Sequence, residues 1–298
     1  MTNNSPVPLT SSNTKGIFRA LIATAMFAAA AALAKIAVVE YHILQILFFR
    51  QVIVFLSSLP SITQSFPASV KTSHPITHSI RLAGAFTALS CGIWAVAVLP
   101  LTVAITIGFA QVFIAALLAA VFLKESVGPH RILTIVIGFI GVVIVIRPGL
   151  DGLLNVYTLI PLLAATGAAV AVISVRKLSQ TDSTATLLLY QSVLIGVLAG
   201  IPLIWLWETP DLTGLIMLVS IGLLATIGQW AGVQALRLGE ASVISSIQYT
   251  QLIYVAALGF VLFDELPDKF TLSGAAIIIA SAIYLLHHET HAAQKAKT

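Results

Sequence analysis

Among the glutamines inside apolar segments of this chain, four form two pairs with the same spacing. Gln51 and Gln191 are 140 positions apart, and Gln111 and Gln251 repeat that interval. A carboxamide carries two N–H donors and a carbonyl acceptor, so it suits a neutral or zwitterionic solute better than a bare ion. It can equally make a hydrogen bond between helices, which is an ordinary role for a buried glutamine. The spacing alone leaves both interpretations open.

Aromatic residues accompany hydrogen-bonding residues at further places. Ser90 and Trp94 are four residues apart and therefore share one face of a helix. Gln229 and Trp230 are adjacent, and Tyr249 follows in the next apolar segment. An aromatic surface beside a hydrogen-bonding group predicts contact with a planar or amphipathic ligand. Both tryptophans lie near a segment end, so anchoring at a membrane interface is the alternative interpretation for them.

Two cations stand out because apolar residues surround them. Arg50 lies within an apolar segment, and Lys35 lies late in the preceding one. A charge at such a depth could hold a substrate carboxylate or phosphate, but it could also bind helix-end carbonyls or reach the head groups of the lipid. We favour the structural role for Arg50. For Lys35 we expect an interfacial or gate-lining cation.

The elements that position these residues are membrane-spanning helices. Mean hydropathy is +1.02, 58% of residues are hydrophobic and 9% are charged, whereas a soluble domain carries roughly 25% charged residues. Segments of roughly 20 apolar residues are long enough to cross a bilayer. We predict an all-α membrane protein with ten transmembrane helices, at 17–37, 43–62, 80–99, 101–123, 132–147, 153–174, 185–206, 213–235, 241–263 and 271–287.

The ten segments form five helices written twice. Besides the glutamines, the dipeptides Lys124-Glu125 and Asp264-Glu265 end corresponding segments 140 positions apart. Because five is odd, the second copy must enter the membrane from the opposite side, which makes an inverted repeat of the kind found in alternating-access transporters. Residues 1–14 are polar, and we expect them to be disordered. The alanine run at 28–32 resembles the end of a signal peptide, but cleavage there would destroy the symmetry.

Basic residues orient the predicted helices. If the N-terminus is cytoplasmic, then Lys35, Arg147 and Lys269 fall outside. The cytoplasmic segments then hold Lys15, Arg19, Lys71, Arg81, Lys124, Arg131, Arg176, Lys177, Arg237, Lys295 and Lys297. Positive charge accumulates on the cytoplasmic side of membrane proteins. We therefore predict cytoplasmic N- and C-termini and a multi-pass protein of the cell inner (plasma) membrane.

The stretch from Leu99 to Gly149 resembles the second half of an EamA domain of the drug/metabolite transporter superfamily. The matching features are Pro100–Ala104, the helix end Phe122-Leu123-Lys124-Glu125, the pair Gly138 and Gly141, and the closing Arg147-Pro148-Gly149. Residues 238–286 resemble a second, more divergent copy. The resemblance implies a first repeat at 15–149, a second at 150–288 and a C-terminal tail at 289–298.

The resemblance also implies a function. Members of this family carry small metabolites, so we expect an inner-membrane secondary carrier of a small polar or amphipathic metabolite, such as an amino acid or derivative, an adenosyl-type cofactor or a vitamin. Its pocket would be lined by the third, fourth, eighth and ninth helices. With a central pocket in view, we favour substrate contact for the symmetric pair Gln111 and Gln251. Fold alone does not identify the substrate.

Several chemistries have no counterpart in the sequence. The middle of every predicted span lacks Asp and Glu, and the chain lacks hydrolase, zinc-protease and phosphate-loop motifs. The lone Cys91 excludes an intrachain disulfide. We expect no enzyme activity, no cofactor, no metal and no nucleic-acid partner; the expected partners are a small-molecule substrate and the bilayer, and a homodimer is left open. The alternatives are an exporter of toxic organic compounds, disfavoured for cations because no buried carboxylate awaits them, or a non-transporting membrane sensor or enzyme.

Overall fold

The computed structural model describes residues 11–64, 66, 70–122, 129–147, 156–178, 181–238, 244 and 246–295, without the side chains of 11–13, 129–131, 184 and 286–295. No β-strand occurs among the described residues. A helix satisfies its own backbone hydrogen bonds, as a segment inside a bilayer must. Residues 1–10 of the predicted N-terminal tail lie outside the described residues, as does the dipeptide Lys124-Glu125, whereas 11–14 of the predicted tail are helical.

The helices of the first half end at residue 146. They are α1 (Ser11–Ala37), α2 (Ile43–Gln64), α3 (Pro75–Val98), α4 (Leu101–Gly108), α5 (Gln111–Phe122) and α6 (Pro129–Ile146). The second half follows with a 3₁₀ turn at Val156–Thr158, α7 (Leu159–Leu178), α8 (Thr184–Gly200), α9 (Leu203–Leu206), α10 (Leu212–Leu238), a 3₁₀ turn at Gln248–Thr250, α11 (Gln251–Phe263) and α12 (Lys269–Lys295).

Six described helical segments are long and apolar enough to cross a membrane. They are Thr14–Ala37, Ile43–Gln64, Pro75–Val98, Leu101–Phe122, Val156–Leu178 and Leu212–Leu238. Shorter apolar helices lie at Ile132–Ile146, Ala185–Gly200, Gln248–Phe263 and Lys269–Leu285. Every predicted span overlaps one of these segments. The all-helical membrane architecture is therefore confirmed, while ten spans and the position of the termini stay predictions.

The packing of the helices follows the internal repeat. In the repeat, α7 corresponds to α1 and α10 corresponds to α3. The two largest interfaces join α1 to α10 and α3 to α7, and these two contacts are equivalent under an exchange of the halves. The pairs α2 with α8 and α6 with α12 each join a helix to its own counterpart. Both halves thus interlock around one approximate two-fold axis.

Glycines permit the closest of these approaches. A Cβ atom on Gly167 of α7 would lie 2.6 Å from the carbonyl oxygen of Gly84 in α3, and a Cβ atom on Gly84 would lie 2.7 Å from that of Gly167. Both distances are shorter than van der Waals contact, and the opposing atoms are backbone. Small residues are typical of such helix contacts in membranes, where dispersion replaces the hydrophobic effect.

Candidate functional site

Two adjoining voids lie between the halves and together form what we call the central cavity. Each has a volume of about 210 Å³, and they share the wall residues Gly92, Val96, Ile105 and Gln251. The third, fourth, eighth and ninth predicted spans all contribute to the wall, as do α1, α2 and α7. Small residues such as Ala30, Ala31 and Ala34 of α1 make the space available.

The glutamines of the symmetric pair lie on the wall of this cavity. Gln111 and Gln251 both line the first void, and Gln251 also lines the second. Each is the first residue of a helix that follows an interruption: α4 ends at Gly108 before α5 begins at Gln111, and the 3₁₀ turn Gln248–Thr250 precedes Gln251. Interrupted helices at a repeat interface are a recurrent way of exposing polar groups to a transported solute.

Phe109 and Tyr249 show that the two-fold axis passes beside these glutamines. They are also 140 positions apart, and their rings contact each other with centroids 5.0 Å apart. Tyr249 is 5% exposed, so its ring packs against the wall and supports it. Only Phe109 of the two is among the described residues that line the cavity.

Arg50 of α2 lines the second void together with Gln251. No acidic side chain among the described residues pairs with Arg50, and none lines either void. The cavity therefore holds a cation and two carboxamides within walls of otherwise apolar or small residues. An arginine without a counter-ion in such a place has guanidinium N–H groups left to donate. This geometry favours the ligand-binding interpretation of Arg50 over the structural one preferred from the sequence.

The other residues predicted to contact a substrate are not among the described residues that line the cavity. The Ser90 hydroxyl donates to the Phe86 carbonyl in its own helix at 2.6 Å, and Trp94 is 43% exposed. Trp230 is 60% exposed on the outside of α10, next to the half-buried Gln229. The span of each residue can be read from the sequence, but the direction of its side chain depends on the rotation of the helix.

Lys35 joins the two halves at one end of the molecule. Its ammonium group forms an ion pair with Glu265 and donates to the Leu99 carbonyl at 2.8 Å. The second Glu265 oxygen accepts from the backbone N–H of Leu101, the first residue of α4, at 2.8 Å. Asp264 positions this glutamate by ending α11 in the left-handed conformation, with φ 54°. One ion pair thus connects α1, the start of α4 and the end of α11.

A buried contact between two titratable side chains, His78 and Asp182, was not identified from the sequence. His78 lies at the start of α3, and its Nε2 is 2.7 Å from an Asp182 carboxylate oxygen in the loop between α7 and α8. Their side chains are 2% and 3% exposed, and Nδ1 of His78 has no hydrogen-bond partner. Burial by itself would raise the pKa of Asp182, but hydrogen bonds from Thr72, His78 and Thr181 and the charge of His78 together lower it below its usual value.

Arg81, like Arg50, lies within a helix. We placed Arg81 in a cytoplasmic segment, at the start of the span predicted at 80–99, but α3 begins at Pro75 and Arg81 is only 3% exposed. Its guanidinium donates to the Gln191 side chain at 2.7 Å and to the Leu187 carbonyl at 3.2 Å. Gln191 therefore makes a bond between helices. Pro75 at the first helical position was the available signal for this earlier helix start.

Known proteins resemble this chain over most of its length. An S-adenosylmethionine uptake transporter of Rickettsia bellii is 27% identical over 85% of this chain and 87% of its own length. A riboflavin transporter of Brucella anthropi is 27% identical over 82% of this chain and 88% of its own length. The pseudopaline exporter CntI of Pseudomonas aeruginosa is 26% identical over 91% of this chain and 95% of its own length.

A solved structure and a family model give the same result as these relatives. A solved crystal structure superposes with a TM-score of 0.61 at 16% identity, covering 97% of this chain and 99% of that one, which supports the fold alone. The EamA-like transporter family model matches residues 14–147 and 155–286, once in each half. This match confirms the resemblance to an EamA domain that Leu99–Gly149 indicated. It also confirms that the protein is a transporter and not an enzyme. The chain belongs to the EamA-like transporter family.

Proposed function

We propose that this protein is a ten-span secondary carrier of the inner membrane, with both termini in the cytoplasm, that moves a small polar metabolite carrying a carboxylate. The observation that carries the proposal is the coincidence of Arg50, Gln111 and Gln251 on one cavity between the two repeats. Arginine binds a carboxylate with charge-assisted hydrogen bonds, and the carboxamides can bind the donors and acceptors of the remaining molecule.

The names of the relatives narrow the choice of a first substrate. Proteins similar to this chain include S-adenosylmethionine uptake transporters, and this solute combines a carboxylate with an adenosyl group that has many hydrogen-bonding atoms. It also belongs to the classes expected from the family resemblance. Riboflavin, which has no carboxylate, is the natural comparison because it is named for another relative.

The mechanism we propose is alternating access around the central cavity. The ion pair of Lys35 with Glu265 closes the end where α1 ends and α11 ends. Opening this end requires α1 to separate from α11, which breaks the ion pair. Closure of the opposite end accompanies this movement in an inverted repeat, because equivalent helices exchange environments.

Export of toxic organic cations is the second candidate, and the cavity argues against it. A buried cation site needs a carboxylate or an aromatic surface to compensate for lost hydration. Among the described residues that line the cavity, Arg50 is the charged one and Phe27 and Phe109 are the aromatic ones. These rings are not accompanied by a carboxylate, and the positive charge of Arg50 would repel a cation that brings no carboxylate of its own. S-adenosylmethionine also carries cationic sulfonium and ammonium groups, but it differs because its carboxylate can pair with Arg50.

Uptake into liposomes that contain the purified protein tests the proposal. The panel pairs S-adenosylmethionine with its decarboxylated form, which lacks only the carboxylate, and adds riboflavin and an organic cation. We expect saturable uptake of the carboxylated member and weak uptake of its partner. If only riboflavin or only the organic cation were transported, the protein would still be a carrier, but the proposal that its substrate has a carboxylate would be refuted. No movement of any compound with folded protein would refute the carrier.

A further inference from the structure

A groove separate from the central cavity runs between the start of α1 and the end of α10. It has a volume of about 530 Å³, and its walls include Lys15, Phe18, Arg19, Ile22, Ile227 and Trp230. The Phe18 and Trp230 side chains are 65% and 60% exposed. The groove therefore opens toward the surroundings of the protein, which at the end of the apolar segment Thr14–Ala37 we infer to be the edge of the bilayer.

The close packing of α1 against α10 creates the groove. A Cβ atom on Gly228 would lie 3.2 Å from the Ala23 carbonyl oxygen, so the two backbones nearly touch there. Large side chains cannot fit between such helices and project from the flank of the contact. Phe18 of α1 and Trp230 of α10 project in this way and form the sides of the groove.

Two cations lie at the mouth of this groove. Arg19 is held in place because one of its N–H groups donates to the Gln234 side chain at 3.2 Å and its guanidinium lies 5.8 Å from the centre of the Trp230 ring. Lys15 is four residues earlier on the same face of α1 and is exposed. Within the described residues, neither cation has an acidic partner.

The groove changes from basic to apolar with depth. Lys15 lies nearest the end of α1, Arg19 is about 6 Å further along the axis, and Ile22 is about 4.5 Å beyond Arg19. Trp230 lies at the level of Arg19 because the two side chains are in contact. This order matches the order of groups in a phospholipid, which has a phosphate at the surface of the membrane and acyl chains beneath it.

We propose that this groove binds one anionic phospholipid. The phosphate lies between Lys15 and Arg19, and an acyl chain follows Phe18, Ile22 and Ile227 toward the centre of the bilayer. Anionic lipid supplies the charge that the described residues lack, and basic pockets between helices at a membrane surface are suited to such head groups. A second copy of this chain fits less well, because its helix would bury two unpaired cations. The proposal is independent of which solute the carrier moves.

Lipid titration of the purified protein in detergent tests this site. The probes are dioleoyl phosphatidylglycerol and dioleoyl phosphatidylcholine, which share their acyl chains and differ in head-group charge, and the readout is the midpoint of thermal unfolding. We expect tighter apparent binding of phosphatidylglycerol, the anionic lipid, than of phosphatidylcholine. The double variant K15Q/R19Q should weaken it roughly 25-fold, about fivefold for each cation, with little effect on the choline lipid. Trp230→Ala should weaken the binding of both lipids.

The matched control is R176Q/K177Q, which removes two neighbouring cations from the end of α7. This variant should retain the preference for the anionic lipid. Equal binding of both lipids by the unchanged protein would overturn the proposal. The same conclusion would follow if K15Q/R19Q kept the preference, or if the control lost as much of it. Unfolding of each variant without lipid establishes that it is folded.

Discussion

Single side chains give the central cavity its polarity, and their types were more predictable than their directions. The spacing of 140 positions singled out Gln111 and Gln251, and both line the cavity. Trp94 and Trp230 were chosen because each accompanies a hydrogen-bonding residue, and they lie away from the cavity wall. The depth of a residue follows from its position along a span, whereas its facing depends on neighbours that one helix pattern does not specify. Substrate contact by any of these residues stays a prediction.

Arg50 provides the first test at this scale. Replacement by glutamine removes the charge but keeps a hydrogen-bonding group, so carboxylate recognition should fail while the protein still folds. We expect the half-saturation concentration for a carboxylated substrate to rise roughly 10- to 100-fold, the range for a charge-assisted hydrogen bond. Uptake of the decarboxylated analogue should stay the same or rise, because this analogue has no carboxylate for Arg50 to bind and the repelling charge is gone. Arg50→Lys should retain part of the preference, and an unchanged preference in Arg50→Gln would remove this residue from the site.

Asp182 provides a test that depends on pH. Its pKa in the folded protein is lowered, so the carboxylate stabilises the fold fully above the unfolded value of about 3.9 and loses this effect as pH falls through the folded value. Thermal unfolding should show Asp182→Asn less stable than the unchanged protein at pH 7, with a difference that shrinks below about pH 4. The exposed Glu40→Gln should show little difference at either pH. A constant difference across this range would contradict the buried contact of Asp182 with His78.

At the scale of helices, composition located the segments but missed their ends and interruptions. Proline explains two of the differences: Pro75 begins α3 earlier than expected, and Pro202 separates α8 from α9. The interruption before Gln251 has no proline or glycine in the ten residues that precede it, and the interruption before Gln111 has only Gly108, which ends α4. They were invisible because both flanking stretches are equally apolar, and the contacts with other helices decide where a helix breaks.

The contact of α3 with α7 supplies a prediction for this scale. Gly167→Ala should lower the stability by about 1–3 kcal/mol, because the added methyl group meets backbone atoms that cannot move aside. Gly92→Ala is the control, since a Cβ atom there has no atom within 4 Å. Thermal unfolding in detergent measures both. Equal stability of the two variants would show that the helices can separate more easily than this packing indicates.

For the whole molecule, the repeat was the most informative pattern in the sequence. It predicted two halves, and the equivalence of the α1–α10 and α3–α7 contacts agrees with it. The pairing of His78 with Asp182 could not be anticipated, because these residues are 104 apart and do not follow the repeat. Contacts between the halves depend on how they dock, which repetition alone does not determine.

The ion pair of Lys35 with Glu265 should bias the carrier toward closure at its end of the molecule. Glu265→Gln removes the charge but can still accept from the Leu101 N–H, so the closed state should lose stability without loss of the fold. In a Cys91→Ser background, a cysteine replacing Ile105 on the cavity wall reports access from that side. We expect faster labelling by a membrane-impermeant thiol reagent in Glu265→Gln. The exposed Glu208→Gln serves as control, and equal labelling in both would contradict a gate here.

Counterflow in liposomes tests most directly whether substrate crosses through the central cavity. Vesicles loaded with unlabelled substrate should take up the labelled form faster than empty vesicles, because a carrier returns more quickly when it is occupied. Gly92 borders both voids and has room for a side chain, so Gly92→Phe should fill the cavity, leave the protein folded and abolish counterflow, while Gly92→Ala should retain it. Undiminished counterflow in folded Gly92→Phe would show that the substrate passes elsewhere.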